Sequence, residues 1–242
     1  MRVVLIGVGG ATCSGKTTLA KYLRRCLPNS FIVHQDDFAP PQELVPWHPG
    51  FNVQDWDDAP GAIDWPRMRS ALAHVKATGQ LPPGHSSHDH LNEQVEIPAA
   101  DDTLSTWRTR FSELDNSAAG EEIQWVIVDG FLLYWDKGIA DQLDIRLFLR
   151  VPHDVLRQRR HARHGYHTAE GSLWRDPPHY WEQIVYPAYV RAHQSLFEGG
   201  DIENGNLTPE ARGRLLSLKG QKTVQELLDK SCQAIVNHIN NP

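Results

Sequence analysis

Short apolar runs separated by amphipathic stretches recur along most of the chain, and their alternation predicts strands and helices in turn. Val3 to Ile6 reads as a buried strand, and the runs Phe31 to His34, Trp125 to Val128, Ile145 to Val151 and Arg214 to Leu218 read the same way. After the first of them, Leu19, Leu23 and Leu27 repeat every four residues and predict one buried helix face. The last helix is written as plainly. Val224, Leu228, Cys232, Ile235 and Ile239 keep a spacing near ~3.6 residues, with Thr223 placed as N-cap and Glu226 three residues on. Strands that alternate with helices close into a parallel sheet wrapped by helices, so the expected class is α/β. Two stretches lack the pattern. Residues 79–122 carry "LPPGHSSHDH", many acids and few apolar runs, and are expected to be a surface insert with one short helix near Leu104 to Leu114. Residues 198–212 read as a polar excursion before the last strand.

The first strand runs directly into "GGATCSGKTT", Gly9 to Thr18. Gly10, Gly15, Lys16 and Thr17 fit the spacing G-x-x-x-x-G-K-[ST], where glycines let successive backbone N–H groups turn inward around the polyphosphate of a nucleotide. The lysine charge then meets the outer phosphates, and the threonine hydroxyl reaches Mg²⁺. A helix beginning at that point sets its partial positive charge against the phosphates. Strand, glycine loop and helix in this order predict a P-loop NTPase.

Composition narrows the partners. At 242 residues the chain suits one sizeable α/β domain over residues 1–242, and a net charge of −6 without a basic tail disfavours nucleic acid. The three cysteines, Cys13, Cys26 and Cys232, have no paired spacing and suit a reducing compartment. The first apolar run is short, lacks a basic leader and flows into the phosphate loop, so it is a structural strand and not a signal. No run approaches a membrane span, so a soluble cytoplasmic protein is expected, and nothing in the sequence sets an oligomeric state.

Ligands of open parallel sheets bind at the carboxyl ends of the strands, which makes the polar residues closing each apolar run informative. The second strand ends in "HQDDF", with Gln35, Asp36, Asp37 and Phe38, and the third in "VIVDGF", with Asp129 and Gly130. Asp129 is placed either to hold Mg²⁺, directly or through water, or to cap the turn that follows. Asp36 is a candidate to take a hydroxyl proton from a phosphate acceptor. If the strand continues that far, Asp36 and Asp37 face opposite ways, so at most one of them has this part. After the fourth strand, "DVLRQRRHARHGYHTAEG" sets Arg157, Arg159, Arg160 and Arg163 on a helical pattern. Arg160 and Arg163 share one face, Arg159 and Arg163 another; the segment is either a lid over the transferring phosphate or a solvated basic helix end. His85, His88 and His90 with Asp89 have the residue types of a zinc site but no second ligand set, and a solvated loop is expected. No N-K-x-D string is present to read guanine. A carboxylate closing the second strand and an arginine-rich segment point to a kinase of a small molecule, by analogy of fold.

The strings "GATCSGKTTLAKYL", "QDDF", "QDWDDAPGAIDW", "VDGFLLYW", "RQRRHAR" and "DPPHYWEQIVYPAY" together resemble the nicotinamide riboside kinases, above all the fungal branch. The resemblance runs from Val4 to about His193, apart from the insert. It implies a five-stranded parallel sheet flanked by helices with an arginine-rich lid within 157–180. It implies transfer of phosphate from ATP, with Mg²⁺, to the 5′-hydroxyl of nicotinamide riboside, and also of nicotinic acid riboside, in NAD salvage. Carried over to this chain, it makes Asp36 and Lys16 catalytic, and it gives ATP the loop residues Gly10, Ala11, Thr12, Cys13, Ser14, Gly15, Lys16, Thr17 and Thr18 with Arg160 and Arg163. It gives the metal Thr17 and Asp129. It gives the acceptor Asp36, Phe38, Trp56, Asp57, Arg160, Tyr166 and Asp176, with Tyr180 beside them. The family's acid before G-F-L-L is often glutamate; Asp129 is a methylene shorter, which moves its contact toward a bridging water. Asp58 follows Asp57 directly, so the register of the ribose clamp stays open by one. These residue types suit the chemistry, because a pyridinium cation gains about 0.5–2 kcal/mol over an indole face such as Trp56. A carboxylate such as Asp57 can accept charge-assisted hydrogen bonds from both ribose hydroxyls. Alternatives are a uridine or cytidine kinase, more distantly a pantothenate kinase, and, from another class, a nucleotide-binding regulatory module. Lys16, Thr17, Asp36 and Asp129 standing together argue against the last.

Overall fold

In chain order the elements are β1 (Arg2–Gly10), α1 (Lys16–Cys26), β2 (Ser30–His34), α2 (Ala59–Ala62), α3 (Trp65–Thr78), α4 (Asp101–Ser117), β3 (Ile123–Gly130), α5 (Lys137–Ala140), β4 (Ile145–Arg150), α6 (His153–His161), β5 (Tyr166–His167), β6 (Leu173–Trp174), α7 (Tyr186–His193), β7 (Leu216–Lys219) and α8 (Val224–Asn240). The computed structural model describes residues 1–92, 101–117, 122–163, 165–168, 170–219 and 223–240. Five strands pair in parallel in the order β2-β3-β1-β4-β7, and β5 and β6 form a separate antiparallel pair. All five expected strands are present, with ends shifted by a few residues.

Parallel strands are covered on both faces, so β1 can be apolar at every position. Val4, Ile6 and Val8 pack with residues of α1, α4 and α8, whereas Leu5 packs on the other side with α3 and α5. On that second side Gly7 and Gly9 make room for Tyr134. A Cβ on Gly9 would lie 2.4 Å from Tyr134 Cε2. The Tyr134 hydroxyl sits 3.0 Å from the Gly7 carbonyl and 2.7 Å from that of Leu147, spanning β1 and β4 just beneath the phosphate loop. At the far end of the chain, the expected cap of α8 forms. Glu226 N–H donates to Thr223 Oγ1 at 3.2 Å while Thr223 N–H donates to Glu226 Oε2 at 3.0 Å, a reciprocal capping box.

Two expectations need correction. The helix foreseen near Leu104 to Leu114 is longer, and it belongs to the core: Leu104, Trp107 and Phe111 are buried against α1 and α8. The Trp107 indole N–H also donates to Asp229 Oδ1 at 2.6 Å. Its apolar residues are a helical turn apart within a polar sequence, so no run marks them, yet the spacing three and four still draws one stripe. Residues 93–100 and 118–121 of the supposed insert lie outside the described residues. The excursion at 198–212 is also partly core, since Ile202 and Ala211 are buried and Phe197 bridges Leu207. It receives Arg150 from the end of β4, whose Nε donates to the Ile202 carbonyl at 2.8 Å. Cys13, Cys26 and Cys232 are free thiols, the last two buried. Among the described residues no helix is long and apolar enough to cross a membrane.

Candidate active site

The loop after β1 has the backbone that its glycines predict. Gly10 has φ 146°, and a Cβ there would lie 2.7 Å from the Leu149 carbonyl oxygen, so β4 and the loop approach too closely for any side chain. Gly15 has φ 93° and caps α1 in the left-handed region. Ala11 and Ser14 are buried in the loop wall, and Cys13 bulges at φ 60°. Thr12, Lys16 and Thr17 face a cleft that is shared with Asp36, Trp56, Asp57, Phe131, Arg160, Arg163, Tyr166 and Trp174.

Asp36 reaches that cleft because β2 stops at His34 and Gln35–Phe38 makes one turn of 3₁₀ helix. Strand alternation therefore does not decide between the two aspartates. The turn sends Asp36 into the cleft and buries Asp37, whose Oδ2 lies 3.5 Å from His85 Nε2. Asp36 opens onto the cleft but is crowded by protein atoms, and this desolvation raises its pKa against the opposing charge of Lys16, with Asp129 adding to the rise. Phe38 does not follow the expectation. It is 1% exposed behind the cleft wall, packed on His85 and under Arg67, and is a core residue with no face toward an acceptor.

Asp129 closes β3 opposite His34 in the sheet register. Burial works to raise its pKa, but the His34 hydrogen bond, Lys16 and the Thr17 hydroxyl outweigh it and hold the carboxyl below its ordinary value. Asp129 Oδ2 is engaged by His34 Nδ1 at 3.2 Å, while the buried Oδ1 has no protein partner. A hydroxyl and a carboxylate with one open oxygen form the hard-oxygen donor set that Mg²⁺ takes, so Thr17 and Asp129 fit the ion.

Across the cleft, Asp55 Oδ1 accepts the backbone N–H groups of Asp57 and Asp58 at 3.1 and 2.8 Å, which fixes the turn carrying Trp56. Of the two neighbouring aspartates, Asp57 is buried at the cleft and Asp58 points outward to Arg191 at 2.9 Å. Burial pushes the Asp57 pKa up to about 6, with Arg160 opposing and Asp176, Asp55 and Asp36 adding to the rise. Trp56 is held through its backbone N–H, which donates to Tyr180 Oη at 3.1 Å, and its ring packs 5.8 Å from that of Trp174. Tyr180 itself is buried and donates to the Gln54 carbonyl at 3.0 Å, so it shapes the turn and does not line the cleft.

The arginines of α6 and its extension separate by role. Arg160 is 7% exposed. Its Nε and Nη2 donate to Asp176 at 2.6 and 2.8 Å, and Nη1 donates to Thr12 Oγ1 at 3.0 Å. Arg160 and Arg163 lie over the Tyr166 ring at 4.0 and 4.1 Å from its centroid, and the Tyr166 hydroxyl reaches Cys13 Sγ at 3.2 Å. Arg159 donates to the Cys13 carbonyl at 3.2 Å, and Arg157 pairs with Glu182 away from the cleft. Asp176 stands one layer back, also accepting the Trp174 indole N–H at 3.1 Å.

The histidine-rich loop is not a solvated excursion. His85 packs on Phe38, Asp89 pairs with Lys21 at 2.8 Å, and the His167 N–H donates to Asn92 Oδ1 at 2.9 Å, which makes this segment a wall of the cleft. Among the described residues no group of three metal-ligating side chains is assembled. Sequence reasoning passed over His34 and Trp174. The histidine's only signal is its place at the end of β2, and the tryptophan sits on a strand of two residues.

No family model matches the sequence. The nicotinamide riboside kinase of Eremothecium gossypii is 32% identical over 209 residues, 86% of this chain and 83% of its own. That of Saccharomyces cerevisiae is 33% identical over 208 residues, 86% and 84% of the two chains. That of Schizosaccharomyces pombe is 32% identical over 237 residues, 98% and 97%. Among solved structures, an unliganded sugar kinase from Janibacter sp. HTCC2649 aligns with 98% of this chain and 95% of its own at a TM-score of 0.46 and 16% identity. Similarity at this level to fungal enzymes of one kind, sustained along most of both sequences, means that the chain belongs to the nicotinamide riboside kinase family.

Proposed function

We propose that this protein transfers the γ-phosphoryl group of ATP to the 5′-hydroxyl of nicotinamide riboside, forming the mononucleotide used in NAD salvage, and that it accepts nicotinic acid riboside as well. The observation that carries the reading is one cleft in which Asp36, between the phosphate loop and the Trp56–Asp57 turn, can meet both substrates. Backbone amides of Gly10 to Thr18 and the Lys16 ammonium hold the outer phosphates. Thr17 and Asp129 would hold Mg²⁺, which when bound neutralises charge on the phosphate oxygens. Asp36 accepts the 5′ proton as the hydroxyl attacks in line, and its raised pKa makes it a stronger base than free aspartate. Arg160 and Arg163, closing over the site as a lid, meet the charge on the moving phosphoryl group. Trp56 offers an indole face to the cationic pyridinium, and Asp57 accepts hydrogen bonds from the ribose hydroxyls.

The test is ADP release from Mg·ATP with nicotinamide riboside, nicotinic acid riboside, uridine, cytidine and pantothenate as acceptors. Turnover confined to the two pyridine ribosides is the expected result. Turnover on uridine or cytidine instead would keep the mechanism and overturn the acceptor assignment, and silence across the panel would return the chain to the nucleotide-binding modules. In the same assay Asp36→Ala is expected to lower kcat by roughly 10²–10⁴ while ATP affinity stays near wild type. Near-normal turnover in that variant would remove Asp36 from the chemistry.

A further inference from the structure

The cation-site reading of Asp129 leaves a geometric demand unmet by Asp129 itself. An aspartate side chain has a single methylene and little reach, so its carboxylate must be turned one way to present an oxygen, and a neighbour has to turn it. The structure holds a chain of side chains suited to that. His34, the last residue of β2, lies beside Asp129 in register, with Nδ1 3.2 Å from Asp129 Oδ2. A carboxylate only accepts, so Nδ1 carries the proton in that bond. The other ring nitrogen, Nε2, lies 3.7 Å from Asp89 Oδ2, and Asp89 Oδ2 is in turn 2.8 Å from Lys21 Nζ. Lys21 stands one turn beyond Thr17 on α1, so the chain that starts at Asp129 on β3 ends on the helix that carries the phosphate-site lysine and threonine. The side chains of His34, Asp129 and Asp89 are 12%, 5% and 19% exposed, sheltered enough for their mutual orientation to hold.

We infer that His34, whose outer nitrogen faces Asp89 of the histidine-rich loop, is a positioning residue for Asp129: it occupies Oδ2 and so leaves Oδ1 as the oxygen offered to the cation or its water shell. The partnerless, buried Oδ1 is the observation that separates this from a ring merely filling space between β2 and β3. The inference rests on Asp129 serving the cation site and is independent of which acceptor the enzyme uses.

The experiment reads metal directly, without turnover. Mn²⁺ is titrated into the enzyme–ADP complex, and free Mn²⁺ is followed by electron paramagnetic resonance for wild type, His34→Ala, His34→Gln and Asp89→Asn. Removing a partner that orients a metal ligand weakens metal binding by about 10–100-fold, so His34→Ala is expected to lose about 10-fold or more. Asp89→Asn should lose less in the same direction, and His34→Gln, whose amide can still donate to Asp129, should recover part of the loss. Binding of ADP without metal should not change in any of them. In turnover, the Mg²⁺ concentration for half-maximal rate should rise while the acceptor KM does not. Wild-type Mn²⁺ affinity in a folded His34→Ala would overturn the inference, even if its thermal midpoint falls. Should that variant fail to fold, wild-type affinity in both His34→Gln and Asp89→Asn would overturn it equally. Absence of Mn²⁺ binding by the wild-type ADP complex would remove the cation site and this inference together. Failure of nicotinamide riboside as acceptor would leave the titration unaffected.

Discussion

Asp57 is ionised at a cost. Burial among Asp36, Asp55 and Asp176 lifts its pKa from 3.8 to about 6 even with Arg160 nearby, so the folded protein holds this proton to higher pH than the unfolded chain does. Between those two values stability therefore falls as pH rises, and at neutral pH the strain amounts to about 2–3 kcal/mol. Under the proposed ribose-binding role function runs the other way, since the carboxylate is the form suited to accept from both ribose hydroxyls. In the free enzyme, kcat/KM for the acceptor should be level above pH 6 and decline as pH falls through it. Asp57→Asn should lose that limb, bind acceptor weakly at every pH, and unfold at higher urea than wild type at pH 7; the same acid limb in the variant would assign it to another group. How far such residues can be read from sequence depends on what announces them. Asp36 and Asp129 each follow an apolar run, and a carboxylate at the end of a buried strand is conspicuous. His34 is not, because its meaning lies in a partner 95 residues away that only the β2–β3 pairing supplies. Phe38 misleads for a related reason: it lies two residues after Asp36, but a 3₁₀ turn and not a strand carries the chain there, and the ring turns inward.

Among the elements, the sheet and the helices α1 and α8 were legible because each is a continuous apolar pattern of the right period. α4 was only half legible. Its buried side chains are diluted by acids and arginines, and its partners α1 and α8 lie far off in the chain. Phe111 is the sharpest probe of that correction, being fully buried between Trp107 and Trp125. Phe111→Ala should cost about 3–5 kcal/mol in urea unfolding while leaving both substrate KM values near wild type. A loss under about 1 kcal/mol would return α4 to the surface. The β5–β6 pair escaped sequence reading altogether, since two residues per strand leave no alternation to detect.

At the scale of the molecule, acid sensitivity has an identifiable buried source. His193 is 1% exposed, its Nδ1 donates to the Tyr189 carbonyl at 2.8 Å, and burial holds its pKa down to about 4. The unfolded chain protonates this ring near pH 6.5, so its contribution is complete above that value and is lost as pH falls toward 4, on the order of 3 kcal/mol in all. His193→Gln, which keeps the donor, should narrow the gap between urea midpoints at pH 7.5 and pH 5; an unchanged gap would place the sensitivity elsewhere. The clasp around Arg160 has a consequence of another kind. Thr12 belongs to the phosphate loop, and Asp176, through Trp174, reaches the ring of Trp56, so one guanidinium joins the two halves of the cleft. Energy shared in this way is reciprocal, and couplings of about 5–150-fold are typical. Nucleotide should tighten the riboside by the same factor by which the riboside tightens nucleotide, as calorimetry from both sides would measure. Trp174→Phe, which deletes the indole donor, should bring that factor toward one. ADP would still carry the phosphates that the loop is proposed to hold, so the same cooperativity would favour a dead-end complex of spent nucleotide with fresh acceptor. The enzyme should slow itself when riboside is abundant, and loosening the clasp should release that brake.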